Sequence, residues 1–193
     1  CKPGNNPNTY AIEAIPTPQV SPPIMASQTC PGQLWVQGLD PATIQWHEIT
    51  SGTGAYDAFL SCTNCANPLV TPSANPPAYV DYVVCGTVQA PACSGIIDFC
   101  DTVRVTMFSP IQASVNPNPV IFCQGNTPPD VFVSATGGWG NLTYTWYNNN
   151  GQQVGSGQQW TPSDAGDYYV VVMDQLYPSC PADTVPFTVI SYS

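Results

Sequence analysis

Positive charge is almost missing from this chain. Its 193 residues include two basic side chains, Lys2 and Arg104, against twelve acidic ones, and 7% are charged, for a formal net charge of −10. An ordinary soluble domain carries roughly 25% charged residues. Such a balance repels a phosphate backbone and excludes nucleic-acid binding. Histidine is down to His47, so Ser/His or Cys/His chemistry would have to run through that one imidazole, and no nucleophile elbow accompanies it. The alternation in Ile44-Gln45-Trp46-His47-Glu48 turns His47 away from the face that carries Trp46. The acids are scattered without the pairing a glycosidase needs. No run of about 18 apolar residues occurs, so no membrane span is read, and no stretch carries a helical apolar period. The expectation is a chain with no catalytic residues and no cofactor. Asp164 and Asp167 could ligate calcium, but nothing around them resembles a dedicated ligand loop, and no metal is expected.

What the chain does have is apolar residues (43%), aromatics (11%), 22 prolines and nine cysteines. Short β-rich runs lie between turn formers: in the second half Val131 to Val133, Leu142 to Tyr147, Gln158 to Trp160, Tyr168 to Met173 and Val185 to Ile190. Landmarks recur in order: Pro23-Ile24-Met25-Ala26-Ser27 with Pro110-Ile111-Gln112-Ala113-Ser114, Cys30-Pro31-Gly32 with Cys123-Gln124-Gly125, Trp46 with Trp146, Thr71-Pro72-Ser73 with Thr161-Pro162-Ser163, and Asp101-Thr102-Val103 with Asp183-Thr184-Val185. Five matches in the same order imply a duplicated domain. The expected organisation is an N-terminal strand and Pro-rich linker over 1–22, a first domain over 23–109 and a second over 110–193. Domains this small bury a modest fraction of their surface and often need staples; cysteines at this density point to an oxidising, extracellular or cell-surface location.

Trp146 in a third strand and Asp164-Ala165-Gly166-Asp167-Tyr168, which matches an Asp-x-Gly-x-Tyr tyrosine corner, resemble immunoglobulin-like and polycystic-kidney-disease-like domains. The resemblance implies an all-β fold of two tandem immunoglobulin-like β-sandwiches stapled by disulfides, with the Tyr168 hydroxyl bonded back to the main chain. The chain departs from antibody domains in placing Val170 where a core cysteine would stand. The Cys-x-Gly openings and Asn67-Pro68-x-x-Thr71-Pro72 are similar to tandem domains of large surface and gliding-associated proteins of the Bacteroidetes.

Cysteine arithmetic gives a bridge map. The second repeat holds two cysteines, so Cys123 pairs with Cys180. Repeat logic then joins Cys30 with Cys93 and leaves Cys85 with Cys100; the rival map joins Cys30 with Cys100 and Cys85 with Cys93. Cys62 and Cys65 form a CxxC in a Ser-Cys-Thr-Asn-Cys loop, read as a small structural bridge rather than a redox or zinc motif. Cys1 is left over.

Residues Thr9, Tyr10, Ala11, Ile12, Glu13, Ala14 and Ile15 look like a last strand standing before a repeat, as Asp101 to Phe108 do. The chain then holds three last-strand segments and two bodies. Either it is cut from a longer array, or this strand pairs with a neighbouring module, or residues 9–20 extend the first strand of domain one. Among the aromatics Trp35, Trp139, Trp160 and Tyr147 are candidates for stacking on sugars, with Trp160 read as core and Trp139 as exposed. Candidate glycosylation sites are Asn141, in Asn-Leu-Thr, and Thr102 and Thr184, whose Asp-Thr-Val context resembles the O-glycosylation site of Bacteroidetes. The functional expectation is an extracellular structural protein, a segment of a cell-surface fibre or long adhesin that associates with itself or neighbouring modules and carries glycans. The alternative is a carbohydrate- or protein-binding accessory module, which would need an exposed aromatic platform or a loop cleft.

Overall fold

Prolines and glycines cut the chain into short extended runs, and a computed structural model of the protein describes residues 17–88 and 97–193 of it. The chain divides into two compact units between Met107 and Phe108. The first contains β1 (Gln19–Val20), β2 (Ile24–Ala26), β3 (Gly32–Gln33), β4 (Val36–Gln37), β5 (Gln45–Glu48), a 3-10 turn (Ala55–Phe59), β6 (Leu69–Val70), β7 (Tyr79–Val88) and β8 (Ile97–Met107). The second contains β9 (Gln112–Asn116), β10 (Val120–Cys123), β11 (Val131–Thr136), β12 (Leu142–Asn148), β13 (Gln153–Ser156), β14 (Gln159–Trp160), β15 (Gly166–Asp174) and β16 (Asp183–Tyr192).

The second unit is the more regular. Its larger sheet runs β10-β16-β15-β12-β13 and faces a smaller one, β14-β11-β9. The first strand is broken in two: β9 pairs antiparallel with β11, and after Asn116-Pro117-Asn118-Pro119, with both X-Pro bonds cis, β10 pairs parallel with β16. The first unit repeats the device with β1 against β4 and, after Ser21-Pro22-Pro23, β2 parallel to β8 in the sheet β2-β8-β7-β5. β1 thus lies inside the segment 1–22 read as linker. The Pro-Ile-x-Ala-Ser match is also displaced: Ile24–Ala26 line up along the last strand, whereas Gln112–Asn116 lie in the opposite sheet. The structural partners are β1 with β9 and β2 with β10.

Alternation decides what is buried. Trp46 and Trp146 both point inward, and Val84 and Val170 are their register partners. Trp146 is fully buried, stacked against Trp160 with ring centroids 5.7 Å apart and edge-on to Phe187 at 5.6 Å. Burying a side chain of this size, with its roughly 200 Å² of surface, stabilises by on the order of 5 kcal/mol. Its indole N–H donates to Gly157 O at 2.8 Å, and that of Trp46 donates to Cys65 O at 2.9 Å. The acceptors differ because the first unit replaces β13 with the CxxC loop: Cys62 is joined to Cys65, and Thr63 O accepts the Trp46 backbone N–H at 2.7 Å.

Cys85 and Cys100 are register partners on β7 and β8 and are joined by a disulfide. The pairing of Cys123 with Cys180 is not formed. Cys123 carries a free, exposed thiol, while Cys180 is disulfide-bonded. Strand direction is the reason. Cys123 sits opposite Tyr192 at the end of β16, and Cys180 precedes its start at Asp183. β16 is 10 residues long, which at about 3.3 Å per residue separates the two by roughly 30 Å. Cys30 is disulfide-bonded; Cys93, Cys1 and residues 9–15 lie outside the described residues.

Candidate binding surface

The residues singled out in the sequence scatter across the two units. His47 is exposed, its Nδ1 2.7 Å from Asp57 Oδ2, and Asp57 Oδ1 accepts the Glu48 N–H at 2.7 Å, so the pair ties β5 to the 3-10 turn. Trp139 is 45% exposed, and its N–H donates to the buried Asp174 carboxylate, which also accepts from the N–H groups of Leu176 and Tyr177. Trp160 packs in the core, and Trp35 and Tyr147 are half-buried. Asn141, Thr102 and Thr184 are exposed. The single arginine is bound bidentately: Arg104 donates from Nε and an Nη to both Asp81 oxygens at 2.7 Å and lies 4.0 Å from the Tyr79 ring centroid. These hydrogen bonds hold the Asp81 carboxyl below the usual carboxylate range. Among the described residues no group of three or more His, Cys, Asp or Glu could hold a metal ion.

Two polar features were missed in the sequence. Glu48 is fully buried, two positions from Trp46 on the same face. Burial pushes its pKa up, but hydrogen bonds from the Ser51 hydroxyl and from backbone N–H groups outweigh burial and leave it below the ordinary value. Its alternation with Trp46 was the signal that could have found it. Tyr82 holds in the first unit the place of Tyr168. Tyr168 donates to Asp164 O at 3.2 Å, the corner contact, whereas Tyr82 donates to Tyr56 O in the 3-10 turn at 2.8 Å. Burial, and behind it the charges of Asp57 and Glu48, push the Tyr82 phenol well up.

The outer face of the larger sheet in the second unit brings together side chains far apart in sequence. The register places Tyr147 of β12 beside Tyr169 of β15, and Tyr169 beside Pro186 of β16. The two tyrosine rings stack with centroids 5.2 Å apart and planes 14° from parallel. Next to them Thr188 Oγ1 donates to Asp167 Oδ1 at 2.9 Å, and Asn118 Nδ2 reaches Pro186 O at 3.4 Å. Asn149, in the turn between β12 and β13, completes the wall of a cleft of about 310 Å³ lined by Asn118, Asp167, Tyr169, Pro186 and Thr188.

The strand order defines the class: the chain is two tandem immunoglobulin-like β-sandwiches with disulfide staples, each with its first strand divided between the two sheets. No family model and no curated protein matches it. Solved structures with a similar fold include extracellular domains 3–5 of Drosophila OTK (10% identity, 89% of this chain and 59% of that chain, TM-score 0.45) and the four N-terminal immunoglobulin domains of Dscam1 isoform 9.44 (11%, 94% and 47%, 0.40). A third is the insect immune protein hemolin, described with a domain arrangement bearing on homophilic adhesion (14%, 96% and 49%, 0.45). The chain spans about half to three fifths of the length of these proteins.

Proposed function

We propose that this chain is a non-catalytic extracellular structural module, a segment of a cell-surface fibre or long adhesin that acts by presenting rigid sandwiches. The observation that carries the reading is that each unit already owns a last strand, β8 or β16, laddered on both sides. Neither body needs residues 9–15 to complete it. A segment whose sequence reads as a further last strand suits addition to an open edge of a neighbouring module; among the described residues β13 and β10 each ladder on one side only. Low charge, disulfides and exposed Asn141, Thr102 and Thr184 fit an outer surface carrying glycans. The Bacteroidetes-type lineage belongs to the same proposal and rests on short motifs.

Removal of residues 1–16 tests the assembly role, because the cut stops short of β1. The truncated chain is expected to keep both folded units and to lose self-association by sedimentation velocity at concentrations where the full chain associates. Undiminished association would overturn the strand-donor reading.

A further inference from the structure

We infer that the cleft beside Tyr169 on the outer face of the second sandwich is a binding site for a neutral saccharide. The case begins with the ring. Tyr169 stands between Tyr147 and Pro186 in the sheet; Tyr147 stacks on its ring, and Tyr169 and Pro186 both line the cleft. An aromatic face braced by a second ring is a rigid apolar platform of low entropic cost, and the C–H face of a pyranose is the complementary surface.

Around the platform the polar groups match hydroxyls rather than charges. Asp167 Oδ1 is engaged by Thr188, which orients the carboxylate and leaves Oδ2 to accept from a sugar hydroxyl. Asn118 and Asn149 supply amides able both to donate and to accept. One carboxylate with no cation among its lining partners disfavours anionic ligands such as sialic acid or sulfated sugars, as does the net charge of −10. A volume of about 310 Å³ lies at the lower end of the roughly 300–1,000 Å³ typical of ligand pockets and suits one or two sugar units at a chain end. Backbone register fixes the arrangement: Tyr147, Tyr169 and Pro186 come from three adjacent laddered strands, so the platform exists without ligand.

An array of immobilised neutral oligosaccharides of the glucose, galactose, mannose and N-acetylhexosamine series, with sialylated counterparts, is probed with the full chain, and the best binder is then titrated calorimetrically. Binding to a neutral series is expected, weakened by added sialic acid. Tyr169→Ala should lower affinity at least about tenfold and Asp167→Asn by about tenfold, the worth of one charge-assisted hydrogen bond. Phe132→Ala, at an exposed position on the other sheet, should leave affinity unchanged. The proposal is overturned if no neutral saccharide binds at millimolar concentration, if sialylated forms bind best, or if folded Tyr169→Ala and Asp167→Asn bind like the parent chain. Because the site lies within the second unit, the chain lacking residues 1–16 should bind as the full chain does, which separates this inference from the assembly reading.

Discussion

A carboxylate with no exposed surface is an expensive residue unless its oxygens are occupied, and Glu48 shows how the cost is offset. Ser51 donates from its hydroxyl and from its N–H, closing a tight loop after β5. Its folded pKa is lowered, so the contribution to stability is present above the unfolded value, about 4.3, and is lost as pH falls through the folded value. Asp81, held down by Arg104, adds in the same direction. Acid titration of the first unit should therefore show a loss of stability below the ordinary carboxylate range that Glu48→Gln flattens. An identical pH profile in the variant would contradict it. Glu48→Ala, which removes both hydrogen bonds from Ser51 and leaves a void where a fully buried side chain stood, should cost roughly 2–3 kcal/mol in chemical denaturation.

Two further residue-scale outcomes follow from hydrogen bonds and thiols. Tyr82→Phe and Tyr168→Phe each remove one hydroxyl donor and should each lower stability by about 1 kcal/mol, with Tyr82, the shorter bond, the larger effect. Native alkylation followed by peptide mapping should label Cys123 and spare Cys62, Cys65, Cys85 and Cys100; protection of Cys123 would mean that the thiol is engaged.

Among the elements, the CxxC loop does more than close on itself. It takes the place of a strand: Thr63 O pairs with the edge of β5 and Cys65 O caps the Trp46 indole. Replacing both cysteines with serine should cost roughly 2 kcal/mol, the chain-entropy value of so short a loop, and should redden Trp46 fluorescence as its N–H partner loosens. In the second unit β13 does the same work by leaning on Trp160. A Cβ at Gly155 would meet Trp160 Cδ1 at 2.4 Å, and Trp160 Nε1 donates to Val154 O at 3.1 Å. Gly155→Ala should therefore destabilise the second unit by about 1–3 kcal/mol through overpacking.

How far these elements could be read from the chain depended on range. Trp46, Trp146 and the Asp-x-Gly-x-Tyr corner were legible because period-2 alternation and a local motif fix them. The hairpin pair Cys85 and Cys100 was legible as one of two maps, because residues equidistant from a hairpin tip face each other. Cys123 and Cys180 misled because cysteine counting carries no strand direction. Pro-Ile-x-Ala-Ser misled because the first strand breaks between sheets at different points in the two units. The Tyr147, Tyr169 and Pro186 row depends on cross-strand register, which no local pattern reveals.

At the scale of the molecule, the proposed role is presentation of rigid modules. Two sandwiches with last strands laddered on both sides, stapled loops and a polar, net-negative composition fit the proposed role of repeated modules, with the N-terminal segment as the proposed donor. Electron microscopy of the protein in the form displayed on or released from the cell tests this most directly. Filaments, or long arrays with a regular repeat of sandwich modules, are the result this account predicts; isolated two-domain particles at every concentration would contradict it.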